Sequence, residues 1–175
     1  MRKLTLIAIA TAMMMMSSFA SAQTATGALT VTATVTGSIN LVFNSDAAGV
    51  ALTGAGSNAA TLAFGNVSAY GALGAGISRS VAANNFTVSS PFDVLVTKTN
   101  SASANSTLKA QLNAADAVNT WQVGGGGVTN AAQSTITATG AYGSNVPFTL
   151  GLTIPFATAS GTNISNVVNF TATAN

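Results

Sequence analysis

From Gln23 to Phe43 apolar and polar residues take turns along the chain, and that alternation excludes most of what a 175-residue sequence can become. Odd positions read Ala25, Gly27, Leu29, Val31, Ala33, Val35, Gly37, Ile39, Leu41 and Phe43. Even positions read Thr24, Thr26, Ala28, Thr30, Thr32, Thr34, Thr36, Ser38, Asn40 and Val42. A period of two marks β-strand with one buried face. The run is also too long for one ordinary strand, which spans roughly 3 to 10 residues. It therefore divides, and part of it is available to pair with something other than its own domain.

The residues ahead of this run carry an address. Arg2 and Lys3 form a basic start, Leu4 to Met16 an apolar stretch, and Ala20-Ser21-Ala22 a small-residue cleavage site. These are the three regions of a secretory signal, so residues 1–22 are expected to be removed and the mature chain to begin near Gln23 and leave the cytoplasm. No later segment supplies the ~20 consecutive apolar residues of a membrane helix, and no transmembrane segment is expected after cleavage.

Removal of the signal also changes the charge. All five Met residues and two of the five basic residues lie within it, and the remainder sets Arg79, Lys98 and Lys109 against Asp46, Asp93 and Asp116. The mature chain is neutral, which gives no footing to a nucleic-acid or anionic-membrane partner. It contains no Cys, His, Met or Glu. An exported protein without cysteine must be held by packing and sheet hydrogen bonds alone. Its surface must be Thr, Ser, Asn and Ala, and a sheet without charged edge residues has little protection against edge-to-edge association.

Further segments keep the period of two. They are Leu62 and Phe64 in TLAFGNV; Phe86 and Val88, then Phe92, Val94 and Val96 after Ser89-Ser90-Pro91; Leu108, Ala110 and Leu112; and Ile136 and Ala138. The last pair is the clearest: Val146 to Phe156 on even positions, then Ile164, Val168, Phe170, Ala172 and Ala174. Turn-rich pieces separate them, among them Gly71 to Gly76 and Gly124 to Gly127. Many short strands without an amphipathic helix predict a single all-β sandwich domain. Ala102 to Val118 is alanine-rich, but the alternation at 108–112 favours strand then turn. Pro147 and Pro155 remove two ladder donors on one side of their strand, which predicts an edge, or a bend near each proline.

Chemistry is scarce. Without His or Cys there is no Ser-His-Asp triad, thiol nucleophile or usual zinc set, and the three aspartates stand singly in the sequence, against the paired carboxylates of glycoside hydrolysis. The reading is no enzyme, no cofactor and no metal. The glycine runs lack the Lys and following helix of a phosphate loop and read as flexible loops. The threonine array reads as the solvent side of an amphipathic strand. Trp121, between Val118 and Val123, reads as core, with a sugar-stacking platform as the alternative.

LTVTATVTGSI (Leu29 to Ile39) followed by TLAFGNV (Thr61 to Val67) resembles the start of the spore coat U domain family, which includes the major pilins of archaic chaperone-usher pili. FTVSSPFDVLV (Phe86 to Val96) and the closing pair, VPFTLGLTIPFATASGTN then VVNFTATAN, extend the likeness more loosely. Family members usually carry a disulfide, whose cysteines would fall near Ile39 and near Ser89 or Ser90; both are absent here. The resemblance implies an immunoglobulin-like sandwich lacking its last strand, completed by donor-strand exchange: the N-terminal extension of one subunit fills the gap in the next, after a periplasmic chaperone and before export through an outer-membrane usher. Carried onto this sequence, residues 23–36 are the donor segment with Leu29, Val31, Ala33 and Val35 inserting, Gly37 and Ser38 are the hinge, and 37–175 is the pilin-like domain, with Ile39, Leu41 and Phe43 opening its first strand.

The function expected is a structural subunit of a surface fibre, a pilus or fimbria polymerising head to tail with identical subunits and supporting adhesion or biofilm formation. The alternative is a secreted monomeric β-sandwich that binds carbohydrate or a surface. An outer-membrane barrel, also suggested by alternation, ranks last, because the aromatics form no girdles.

Overall fold

A computed structural model describes residues 26–175; the expected signal, residues 1–22, and the predicted mature start at Gln23 lie outside the described residues. The chain divides into two units, the second running from Val35 to Asn175. In the first, residues 26–34 are exposed and without regular structure. The second holds nine strands among the described residues: β1 (Ser38–Asn44), β2 (Ser78–Val81), β3 (Asn85–Thr99), β4 (Ser106–Leu112), β5 (Thr120–Val123), β6 (Gly126–Val128), β7 (Ser134–Gly140), β8 (Asn145–Pro155) and β9 (Val168–Ala174). They form two antiparallel sheets, one ordered β1-β3-β8-β5-β6 with β2 also on β3, the other β7-β4-β9. The fold is an all-β sandwich without helices among the described residues. As expected, 102–118 is a strand followed by a turn.

β3 organises the larger sheet. Its even positions Phe86, Val88, Ser90, Phe92, Val94 and Val96 are all buried, facing Leu108, Ala110 and Leu112 of β4 across the core. The sequence suggested two strand pieces broken by Ser89-Ser90-Pro91, but the strand runs through. The reason lies on its outer side, where β2 covers Phe86 to Ser89 and β1 covers Asp93 to Thr99, leaving a gap at 90–92. Backbone groups alternate sides along a strand. Phe43, opposite Val94, turns its own N–H away to Ser57 O, so it is the odd β3 residues that bond toward β1. The donor missing at Pro91 therefore points into the gap, where no ladder bond is lost. Ser90 is fully buried, and its Oγ accepts the N–H of Val50 at 2.9 Å, which anchors the connector there. Gly49 lies so close that a Cβ on it would stand 2.1 Å from the Pro91 carbonyl oxygen.

The prolines of β8 are placed by the same rule. β8 is an inner strand, paired with β3 along its length and with β5 over Leu150 to Thr153. Thr149 O accepts from Gly124 N on the β5 side, so the other odd positions, Pro147 and Pro155, also aim toward β5. Both lie beyond the four residues that β5 reaches. The prediction of an edge thus holds only for the two ends of the strand.

Two readings need correction. Gly124 and Gly125, at φ 60° and 83°, are the central residues of a two-residue hairpin that sets Val123 opposite Gly126, so this glycine run is a tight turn, not a flexible loop. TLAFGNV is no strand: only Thr61 makes an isolated bridge, to Thr53, while Leu62, Phe64 and Val67 still pack on the core from irregular backbone. Gly49→Ala is expected to destabilise the protein by about 1–3 kcal/mol through overpacking against β3. Gly127→Ala, with open space around it, is expected to stay within about 0.5 kcal/mol of the native protein, both variants being compared with it by urea titration.

Candidate functional site: an open groove between two sheet edges

β1 ends the larger sheet and β9 the smaller, and the two touch on one side of the sandwich. Alternation shows what each edge offers. In β1, Phe43 donates to Ser57 O and accepts from Gly56 N, each at 2.8 Å, on the side away from β3. Ile39 and Leu41 face the same way, and among the described residues their backbone groups find no backbone partner there. In β9, Val167 O accepts from Asn113 N at 2.8 Å and Asn175 N donates to Asn105 O at 3.0 Å, both toward β4. The N–H and C=O of Val168, Phe170, Ala172 and Ala174 therefore point away from β4, toward the open edge. Two half-ladders are left without strand partners, the arrangement that recruits a further strand.

Beside β9, and reaching β1 only at Phe43, lies a groove of about 1040 Å³. Phe92, Leu150, Leu152 and Ile154 of the larger sheet form its floor, Leu62 and Phe64 one wall, Ile164, Val168 and Phe170 the other. A second hollow of about 610 Å³ continues along Ile39, Leu41 and Val168. Phe170 is braced edge-on by Phe43 at 5.2 Å and by Phe92 at 5.9 Å between ring centres. No charged side chain lines either hollow. An extended apolar segment suits such a cleft, since it supplies backbone hydrogen bonds to both edges and alternate side chains to the floor.

The residues singled out from the sequence fall as follows. Leu29, Val31 and Val35 are 89, 81 and 74 % exposed, and Ala33 is exposed as well. Gly37 precedes β1, and a Cβ there would stand 2.8 Å from the carbonyl oxygen of Asn100, itself at φ 53°. Ser38 is already the first residue of β1, one position earlier than expected. Ile39 stands opposite Lys98, eight residues along β3 from Ser90. At ~3.3 Å per residue that is roughly 26 Å, far beyond the ~7 Å limit between bridged Cα atoms. The two positions implied for a lost disulfide are thus not a bridging pair in this fold. The groove-lining residues of β9 were visible as an alternating strand, but nothing local marked that strand as an edge.

Trp121 is core. It is 6 % exposed, and its Nε1 donates to Asp116 Oδ2 at 2.8 Å, so it offers no sugar platform. The carboxylates differ in setting. Burial alone would raise Asp116, but hydrogen bonds from the Asn119 backbone, the Trp121 and Asn119 side chains and the Val118 backbone more than offset it and hold the group below its ordinary value. Asp93 is raised, first by burial and then by the Asp46 carboxylate, against a lowering hydrogen bond from Asn145. These two aspartates, far apart in sequence, meet because Asp93 pairs with Asn44, two residues before Asp46.

No protein-family model matches the chain, and no curated protein matches it significantly.

The two shifts predict opposite pH behaviour. Asp116 stabilises the fold fully above the ordinary aspartate value and loses that contribution as pH falls through its lowered folded value. Asp116→Asn should therefore unfold at lower urea than the native protein at pH 7, with the gap closing at acid pH. Ionised Asp93 opposes folding, and relief begins as pH falls through its raised value. Asp93→Asn should match or exceed the native midpoint at pH 7 and lose that advantage on acidification.

Proposed function

We propose that the protein is a structural subunit of an extracellular fibre of pilus or fimbria type, joined to identical subunits by donor-strand complementation. The observation that carries this reading is an uncharged groove beside the unpaired edge of β9, continued by a hollow along the unpaired Ile39 and Leu41 of β1, in a chain whose segment Leu29–Val35 alternates with four apolar residues. The segment and the open edge β9 are both seven residues long. Burial of a Leu or Val side chain contributes about 1.5–3 kcal/mol, and the new ladder adds to it, so each joint is long-lived. A head-to-tail contact that does not close on itself yields a filament.

The signal expected from residues 1–22, with the cysteine-free composition and the balanced charges that follow it, fits a fibre exported through the periplasm to the cell surface, where it supports adhesion or biofilm formation. The resemblance to spore coat U domain pilins supplies the further expectation of an immunoglobulin-like sandwich handed from a periplasmic chaperone to an outer-membrane usher. The alternative of a monomeric carbohydrate-binding module is weakened by the burial of Trp121.

Mature protein should appear as filaments in negative-stain microscopy, and deletion of residues 23–36 should leave monomers only. Val31→Asp, which would bury an unpaired carboxylate in the joint, should abolish filaments while leaving the urea midpoint of the domain unchanged. Filaments from the deletion variant would sink the reading.

A further inference from the structure

Leu62, Phe64 and Val67 of the long connector between β1 and β2 line the groove, but Tyr70, three residues further on, lines neither hollow. Its side chain stands in solvent, 73 % exposed. The other aromatics among the described residues have partners. Phe156, the next most exposed, stacks on Phe86 with 6.3 Å between ring centres. Tyr142 gives its hydroxyl to Asn105 O and its ring face to Lys98, and Trp121 is buried on Asp116. Among the described residues no hydrogen bond reaches the Tyr70 hydroxyl, and no aromatic or cationic group covers its ring.

A single exposed apolar side chain needs no explanation by itself. What sets Tyr70 apart is how firmly the backbone beneath it is held. Arg79 of β2 donates from Nη1 to Ser68 O at 2.8 Å and from Nη2 to Gly71 O at 3.1 Å, so its guanidinium grips the chain on both sides of Tyr70. The Ser68 hydroxyl donates to the carbonyl oxygen of Tyr70 itself. Val67 and Ala69 pack on the core before the ring, and Ile77 packs there after it. Gly71 turns the chain at φ 96°. At Gly76, φ 76°, a Cβ would stand 2.3 Å from the Gly49 backbone, so the end of the loop is pinned as well. A planar fork with fixed donor geometry is spent on one surface turn. The result is an aromatic side chain with only two torsions, on backbone that is already ordered, and such groups lose little entropy on binding.

The surroundings decide what fits. Asn66, Ser68 and Ala72 near Tyr70 in the chain are small, uncharged and exposed. The Arg79 fork is directed at the carbonyl oxygens of the turn, which commits it to the loop and not to an anionic ligand. A protein partner asks for a patch of about 800 Å² with several large anchors clustered at its centre. Tyr70 is the one large side chain of residues 65–77 that is well exposed. A pyranose ring asks for less: its apolar C–H face matches one aromatic ring in size, and its hydroxyls need small polar neighbours and open space.

We propose that Tyr70 is a contact site for neutral hexose polymers, its ring stacking on the C–H face of a pyranose and its hydroxyl bonding those of the sugar, on a turn that Arg79 holds ready. The site lies apart from the groove and stands whether or not subunits join. A fibre would repeat it once per subunit, and linked weak contacts gain strongly in avidity.

The test passes mature protein over insoluble cellulose, mannan and galactan in about 1 M salt, which screens exposed charges. Retention on at least one of the three is expected. Tyr70→Ala is expected to weaken that retention by about tenfold or more, the loss typical of removing an aromatic anchor, with the urea midpoint and the assembly state seen by microscopy unchanged. Tyr70→Phe, which keeps the stacking face, is expected to retain most of the binding. Retention on none of the three polymers overturns the proposal, as does Tyr70→Ala protein that binds like the native chain. Retention only on a polyanionic alginate column, lost in salt, overturns it too. A Tyr70→Ala variant that no longer assembles as the native protein does would mark the ring as a contact between subunits and overturn it equally. Absence of filaments from the unmodified protein would remove the fibre reading and leave this test in force.

Discussion

The fifteen-residue strand β3 is the constraint on which the sandwich depends. Six alternate side chains from Phe86 to Val96 are buried on one face, while its two edges carry β8 on one side and β1 and β2 in succession on the other. A strand this long needs a reason not to break at Ser89-Ser90-Pro91. The reason is the handover between β2 and β1, which leaves the side of Pro91 that lacks a donor facing a connector. Val50 N–H satisfies the buried Ser90 hydroxyl there, and Gly49 is small enough to sit against the Pro91 carbonyl. A buried hydroxyl without that partner would cost about 1–3 kcal/mol.

Because β1 must follow β3 only from Asp93 onward, its far edge stays open along Ile39 and Leu41, and because β9 pairs only with β4, a second edge opens beside it. These unpaired edges and the apolar floor between them are a liability in a chain with so few charges to block association. The same features become useful if another copy of the chain supplies the missing strand. Such an arrangement would account for the scarcity of charge, the groove and the exposed row at 29–35 together.

Much of the fold was legible in the sequence. The alternating residues of β4, β8 and β9 point to the faces their pattern announced, and Trp121 lies in the core. TLAFGNV kept its buried face but not its strand, because Leu62 and Phe64 close the groove from irregular backbone instead of joining a ladder. The Gly124-Gly125 hairpin was hidden in a run of four glycines, since composition alone does not say which residues take positive φ. Pro147 and Pro155 were read correctly as sharing one side, yet only the short reach of β5 explains how an inner strand tolerates both. The positions near Ile39 and Ser90 looked like a pair lost together, but antiparallel registry sends them to distant points on β3.

The sequence by itself determined which side chains face inward, that no disulfide or histidine chemistry is available, and that Leu29, Val31, Ala33 and Val35 form one apolar row. Side-chain period is local, so it can be read residue by residue. The tertiary structure alone decided that β1 and β9 are edges, that they face the same cleft, and that Phe170 is the large residue braced within it. Strand neighbours are set by backbone N–H and C=O groups that are alike in every residue except proline. No local pattern could name which strand would be left without a partner.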